Sequence, residues 1–80
     1  MSLKNPVAKD RTASLIVRDP DILGGRPVFR GTRVPVDVLF ENLADGLTLD
    51  EILHAYPTLD REDAVSALEL ARKRLLDDAA

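Results

Sequence analysis

Val34-Pro35-Val36-Asp37-Val38-Leu39-Phe40-Glu41-Asn42-Leu43-Ala44-Asp45-Gly46 is the stretch in which the hydrophobic period becomes that of a helix. Val36, Leu39, Phe40 and Leu43 fall at i, i+3, i+4 and i+7 and therefore share one face. Gly46 stands where a left-handed residue would close that helix. Beyond it, Thr48 and Glu51 have the T-x-x-E spacing of a capping box, which opens a second helix with Leu49, Ile52 and Leu53 facing inward. Pro57 keeps this helix short, because the residue before a proline is pushed out of the α region. A third helix is predicted from Arg61 to about Asp77. Asp60 is its expected N-cap, its carboxylate accepting from the amide of Glu62 or Asp63. Ala64, Val65, Leu68, Ala71 and Leu75 cluster on the inner arc of that helix, and Leu70 falls on nearly the opposite, exposed side. Arg72, Lys73 and Arg74 crowd its last turns, where cations complement the helix dipole.

Upstream of Val36 the pattern is that of strands and turns. Leu15-Ile16-Val17 and Val28-Phe29 are short apolar runs separated by Asp19-Pro20-Asp21 and Gly24-Gly25-Arg26-Pro27. They predict a small antiparallel hairpin, with the two glycines supplying the positive φ that a reversal requires. Residues 1–14 are polar, lack periodicity and include Pro6, and read as a flexible tail. The expected fold is thus mainly α and consists of one domain over residues 15–78. A β-hairpin segment at 15–35 leads into a three-helix unit at 36–78, whose second and third helices resemble a helix-turn-helix.

Composition limits what such a chain can do. Its 80 residues exclude a large enzyme core, and Phe29, Phe40 and Tyr56 are its only aromatic residues, so the core must be thin and largely aliphatic. Without cysteine there is neither a disulfide nor a thiolate metal site to reinforce it, and a second copy of the chain is the expected support. No apolar run approaches the ~18–20 residues of a membrane span. A cytoplasmic location is expected, with no membrane association.

The net charge of −3 conceals a division along the chain. Residues 1–35 carry seven Lys/Arg against three Asp, a net +4, whereas residues 36–80 carry four Lys/Arg against eleven Asp/Glu, a net −7. Such asymmetry suggests that one end meets a polyanion and the other a basic partner.

Candidate chemistry is sparse. His54 is the single histidine, and its neighbours Asp50 and Glu51 have the spacing of an ordinary solvated helix pair, so neither a catalytic group nor a metal site is expected. Gly24-Gly25-Arg26 lacks the spacing of a phosphate-binding loop and reads as a turn. Nucleic-acid binding has more support. Arg26, Arg30 and Arg33 flank one short strand beside Thr32, and with Arg61 at the start of the third helix they are the candidate DNA contacts. Arg33 is equally suited to pair with an acid such as Asp37 or Asp45. The third helix itself opens Asp60-Arg61-Glu62-Asp63, and acids there repel a duplex backbone. Leu70 and Leu76, with Asp77 and Asp78, are the candidate partner-binding residues.

Asp19-Pro20-Asp21-Ile22-Leu23-Gly24-Gly25-Arg26-Pro27-Val28 followed by Gly31-Thr32-Arg33-Val34-Pro35-Val36 resembles the signature of the domain of unknown function 433 family. Leu43-Ala44-Asp45-Gly46, Glu51-Ile52-Leu53, Tyr56-Pro57 and Ala67-Leu68 continue it, so the likeness covers roughly Leu15 to Leu75. The resemblance implies a homeodomain-like tri-helical fold and a non-enzymatic antitoxin of a type II toxin–antitoxin module. Such an antitoxin binds and neutralises a PIN-like ribonuclease toxin, and many also bind their own operator DNA as autorepressors. The family has no catalytic residues to carry over and implies no cofactor. The competing expectation is a dimeric structural or adaptor module that binds no nucleic acid.

Overall fold

The computed structural model describes residues 15–79, so the expected tail at 1–14 lies outside the described residues. Strands β1 (Ile16–Val17) and β2 (Val28–Phe29) are followed by helices α1 (Val36–Ala44), α2 (Leu49–Ala55) and α3 (Arg61–Asp78). The fold is mainly helical with a short antiparallel hairpin on its N-terminal side.

The strands pair Ile16 with Phe29 and Val17 with Val28. Between them Asp19 anchors the reversal, its side chain accepting from the Asp21 amide (2.9 Å) and its carbonyl from the Ile22 amide (2.8 Å). The turn at Leu23–Gly25 is left-handed at Gly24 (φ 65) and Gly25 (φ 89), and also at Leu23 (φ 50), where a side chain makes that conformation costly. On its other side β2 meets the backbone returning to α1. Phe29 N–H donates to the Val34 carbonyl (3.0 Å), Val36 N–H to the Pro27 carbonyl (3.0 Å), and Val28 bridges Pro35. β2 is therefore bonded along both edges, and Pro35 sits where its missing donor is tolerated.

Helix boundaries follow local chemistry. Gly46 (φ 100) ends α1 in a Schellman arrangement, with Gly46 N–H donating to the Leu43 carbonyl and Leu47 N–H to the Asn42 carbonyl, both at 3.0 Å. The Thr48 hydroxyl accepts from the Glu51 amide (3.1 Å) while the Glu51 carboxylate accepts from the Thr48 amide (2.8 Å), which completes the capping box of α2. Asp60 occupies the N-cap of α3, but its side chain makes no capping bond, contrary to expectation.

The core gathers Leu15, Phe29, Val34, Leu39, Ile52, Leu59, Ala64 and Ala67, with Phe29 its largest fully buried side chain. Val36, Phe40 and Leu43 of α1, and Leu49 and Leu53 of α2, pack around it as their spacing requires. Helix α3 departs from the expected arc. It buries Asp63, Ala64 and Ala67 and packs Leu68 against the core, but Val65 is 41% exposed and Leu75 is 72% exposed. Residues 72–79 are all exposed. At ~1.5 Å per residue, α3 outruns the shorter helices it packs against, so Leu75 lies on the correct side of the helix beyond the end of the body. Leu70, expected to be exposed, is half-buried.

Phe29→Ala should cost about 3–5 kcal/mol, comparable with the ~3–5 kcal/mol that one core supplies at this size. The variant is expected to lack a cooperative thermal transition by circular dichroism. A folded variant melting within a few degrees of the parent would show that Phe29 is not the centre of the core.

Candidate functional site

Local structure decides what the hairpin arginines can do. The turn after β2 is closed by Thr32, whose hydroxyl donates to the Phe29 carbonyl (2.8 Å) and accepts from the Val34 amide (2.9 Å). Both hydrogen-bonding directions of Thr32 thus serve the turn rather than a base edge. Arg30 reaches from this turn to α3, where its guanidinium lies 3.5 Å from the Asp63 carboxylate. The Asp63 side chain is only 7% exposed, and a buried carboxylate needs a cationic or hydrogen-bonding partner, so Arg30 belongs to the framework.

Two other candidates also face acids. Arg26 lies 3.7 Å from Asp37, and Arg61 contacts Asp50, which ties the start of α3 to α2. All four of these side chains are substantially exposed. Such surface pairs are worth about 0–1 kcal/mol and can exchange a carboxylate for a phosphate at little cost. It is Arg26, and not Arg33, that pairs with Asp37. Arg33 is exposed and forms no ion pair among the described residues.

Arg33 instead stands on the rim of a cleft of about 390 Å³. Val17, Ile22 and Val28 form its apolar wall, and Thr32, Arg33 and Thr58 its polar edge. The cleft joins the hairpin to the α2–α3 turn, and sequence reading missed it because no local pattern connects Val17 with Thr58.

The expected partner-binding residues lie on α3. Leu70, Leu76 and Asp77, with Val65, Glu69 and Lys73, line a shallow groove of about 460 Å³ on the side of the helix turned away from the core. Leu76 is 61% exposed. Asp78 lies outside this groove, on the continuation of the core-facing side. Spacing could have revealed Val65, which shares a helical stripe with Glu69, Arg72 and Leu76. Arg72 pairs with Glu69 at 3.7 Å instead of acting in the last turn, which contains no basic residue. His54 is exposed near the end of α2, and no group of three or more His, Cys, Asp or Glu that could hold a metal occurs among the described residues. No helix among them is long and apolar enough to cross a membrane.

Residues 16–71 match the family described as protein of unknown function (DUF433). The chain belongs to the DUF433 family. A crystal structure of a DUF433 member from Anabaena variabilis ATCC 29413 is similar in fold, with a TM-score of 0.64 and 25% identity, over 95% of this chain and 76% of that one. The chain is also 48% identical over 48 residues to the uncharacterized protein y4eO of Sinorhizobium fredii (strain NBRC 101917 / NGR234). That match spans 60% of this chain but only 22% of the length of y4eO. The DUF433 match begins in β1 and ends in α3 at Ala71, one residue before the exposed end of that helix begins.

Arginine truncations separate framework from surface. Arg30→Ala should lower stability by about 1–3 kcal/mol, because it removes the cation facing a buried acid. Arg33→Ala should stay within about 0.5 kcal/mol of the parent. Urea denaturation measures both, and the reverse order would contradict these assignments.

Proposed function

We propose that this DUF433 chain is a non-enzymatic antitoxin that binds and neutralises a PIN-like ribonuclease, with autorepression through operator DNA as a second activity. The resemblance in the hairpin motif supplies the class of function. The observation that carries the reading is the outward groove of α3, in which apolar Val65, Leu70 and Leu76 are set among Glu69, Arg72, Lys73 and Asp77. The helical part of the chain carries the net negative charge. An apolar groove on a half of the chain with net negative charge suits the cation-lined RNA groove of a nuclease, where the overall charge steers the approach and the leucines anchor the complex. Occupying that groove excludes RNA without any bond being made or broken by the antitoxin.

Support for the DNA activity is narrower. Arg26 and Arg61 can exchange surface carboxylates for phosphates, whereas Arg30 is committed to Asp63. α3 begins with Glu62 and Asp63 in its first turn, which disfavours its entry into a major groove. This pairing of arginines favours one second reading, an adaptor that dimerises and binds no nucleic acid.

Co-purification with the ribonuclease encoded beside it, followed by an RNA-cleavage assay, tests the main reading. The parent chain should suppress cleavage, and Leu76→Asp should weaken suppression by at least about tenfold. Unimpaired suppression by that variant would remove the α3 groove from the interface. For the DNA activity, retention of the upstream promoter fragment should fall with salt at a log–log slope of magnitude about 2–5, near 0.9 per phosphate contacted. No retention at low salt would leave the adaptor reading.

A further inference from the structure

Two features of the fold are left without partners among the described residues, and their chemistry matches. The first is the last turn of α3, Leu75-Leu76-Asp77-Asp78. Leu75 lies on the core-facing side of the helix yet is 72% exposed, because the body ends before it. Asp77 and Asp78 place two carboxylates at the negative end of the helix dipole, with no basic residue in that turn. An exposed leucine, and acids at the negative end of the helix dipole, are each unfavourable for an isolated helix end.

The second is the cleft between the hairpin and the α2–α3 turn, with its wall of Val17, Ile22 and Val28 and with Arg33 on its rim. A phosphate backbone would use the guanidinium and leave the apolar wall idle. A leucine followed by an acid would use both. Leu75 and the cleft-rim Arg33 are both exposed in the same protomer, so the helix does not end in its own cleft.

We infer that the occupant of the cleft is the end of α3 from a second copy of this chain, with Leu75 against Val17 and Ile22 and the Asp78 carboxylate on Arg33. Each copy offers one helix end and one cleft, so the exchange is reciprocal and closes on a two-fold axis instead of propagating. Charge favours it despite the like net charges. Arg33 is exposed and forms no ion pair among the described residues, and Asp77 and Asp78 close the helix end that meets it. Leu75 and Asp78 lie on the side of α3 facing the body, whereas Leu70, Leu76 and Asp77 line the groove on the outer side, so the dimer leaves the proposed nuclease surface open. The inference does not depend on the antitoxin reading.

Sedimentation velocity of the full chain over a range of concentrations tests it. The parent chain should sediment as a dimer at the upper end of the range. Leu75→Asp and Arg33→Asp should each raise the dissociation constant by at least about tenfold, with helicity unchanged because both side chains are exposed. Arg33→Asp combined with Asp78→Arg should return the constant to within about threefold of the parent value, the coupling expected of a direct contact. Leu76→Asp should leave the dimer intact, so a loss of ribonuclease suppression in that variant bears on the function and not on this interface. A chain that is monomeric at every concentration would overturn the inference, as would a dimer indifferent to both single variants. So would an Arg33→Asp protein that stays dimeric but no longer retains promoter DNA, since that assigns Arg33 to phosphate.

Discussion

Everything in this fold depends on β2. Two residues long, it is hydrogen-bonded to β1 on one side and to the backbone at Val34–Pro35 on the other, and it delivers Phe29 into the core at zero exposure. The rest of the fully buried core is aliphatic, so one aromatic ring fills the space on which β1, α1, α2 and α3 converge. The turn after β2 then sets which polar groups stay inside. Thr32 closes it, Arg30 crosses to the buried carboxylate of Asp63, and Arg33 is turned outward. The separation of framework arginine from surface arginine is therefore a consequence of how Phe29 is seated.

A core this small cannot cover everything attached to it. α3 has 18 residues against nine in α1 and seven in α2, and its final turns leave the body altogether. Surface pairs such as Arg26–Asp37 add little to the stability of such a domain. Apolar groups that remain outside are a cost unless another macromolecule covers them. The two uncovered apolar surfaces of α3 face different ways, one toward the end of the body and one away from it, which allows a two-fold dimer and a heterologous partner to be bound together.

The helices and strands are legible in the amino-acid sequence because their signals are local. Period, capping box and glycine stop each act within a few residues, and Thr48–Glu51 and Gly46 appear in the fold in the roles their spacing requires. The features that are not legible there join residues far apart along the chain. Periodicity gives the angle of Leu75 around α3 but not the point at which the helix outruns its neighbours, and so an inner-arc residue emerges exposed. Charge along the sequence groups Arg26, Arg30 and Arg33, yet Arg30 finds its acid 33 residues away and Arg61 finds Asp50 11 residues back. The cleft that brings Val17 and Thr58 together has no sequence pattern at all.

The central claim is that the surfaces left over by this fold exist to be covered by other protein. Amide hydrogen exchange of the chain in dilute and in concentrated solution addresses it most directly. The amides of the last turn of α3 and of residues 30–33 should exchange more slowly as concentration rises, while core amides such as those of Leu39 and Ile52 keep their rates. A final helical turn that frays equally fast at every concentration, with no change around Arg33, would contradict the account.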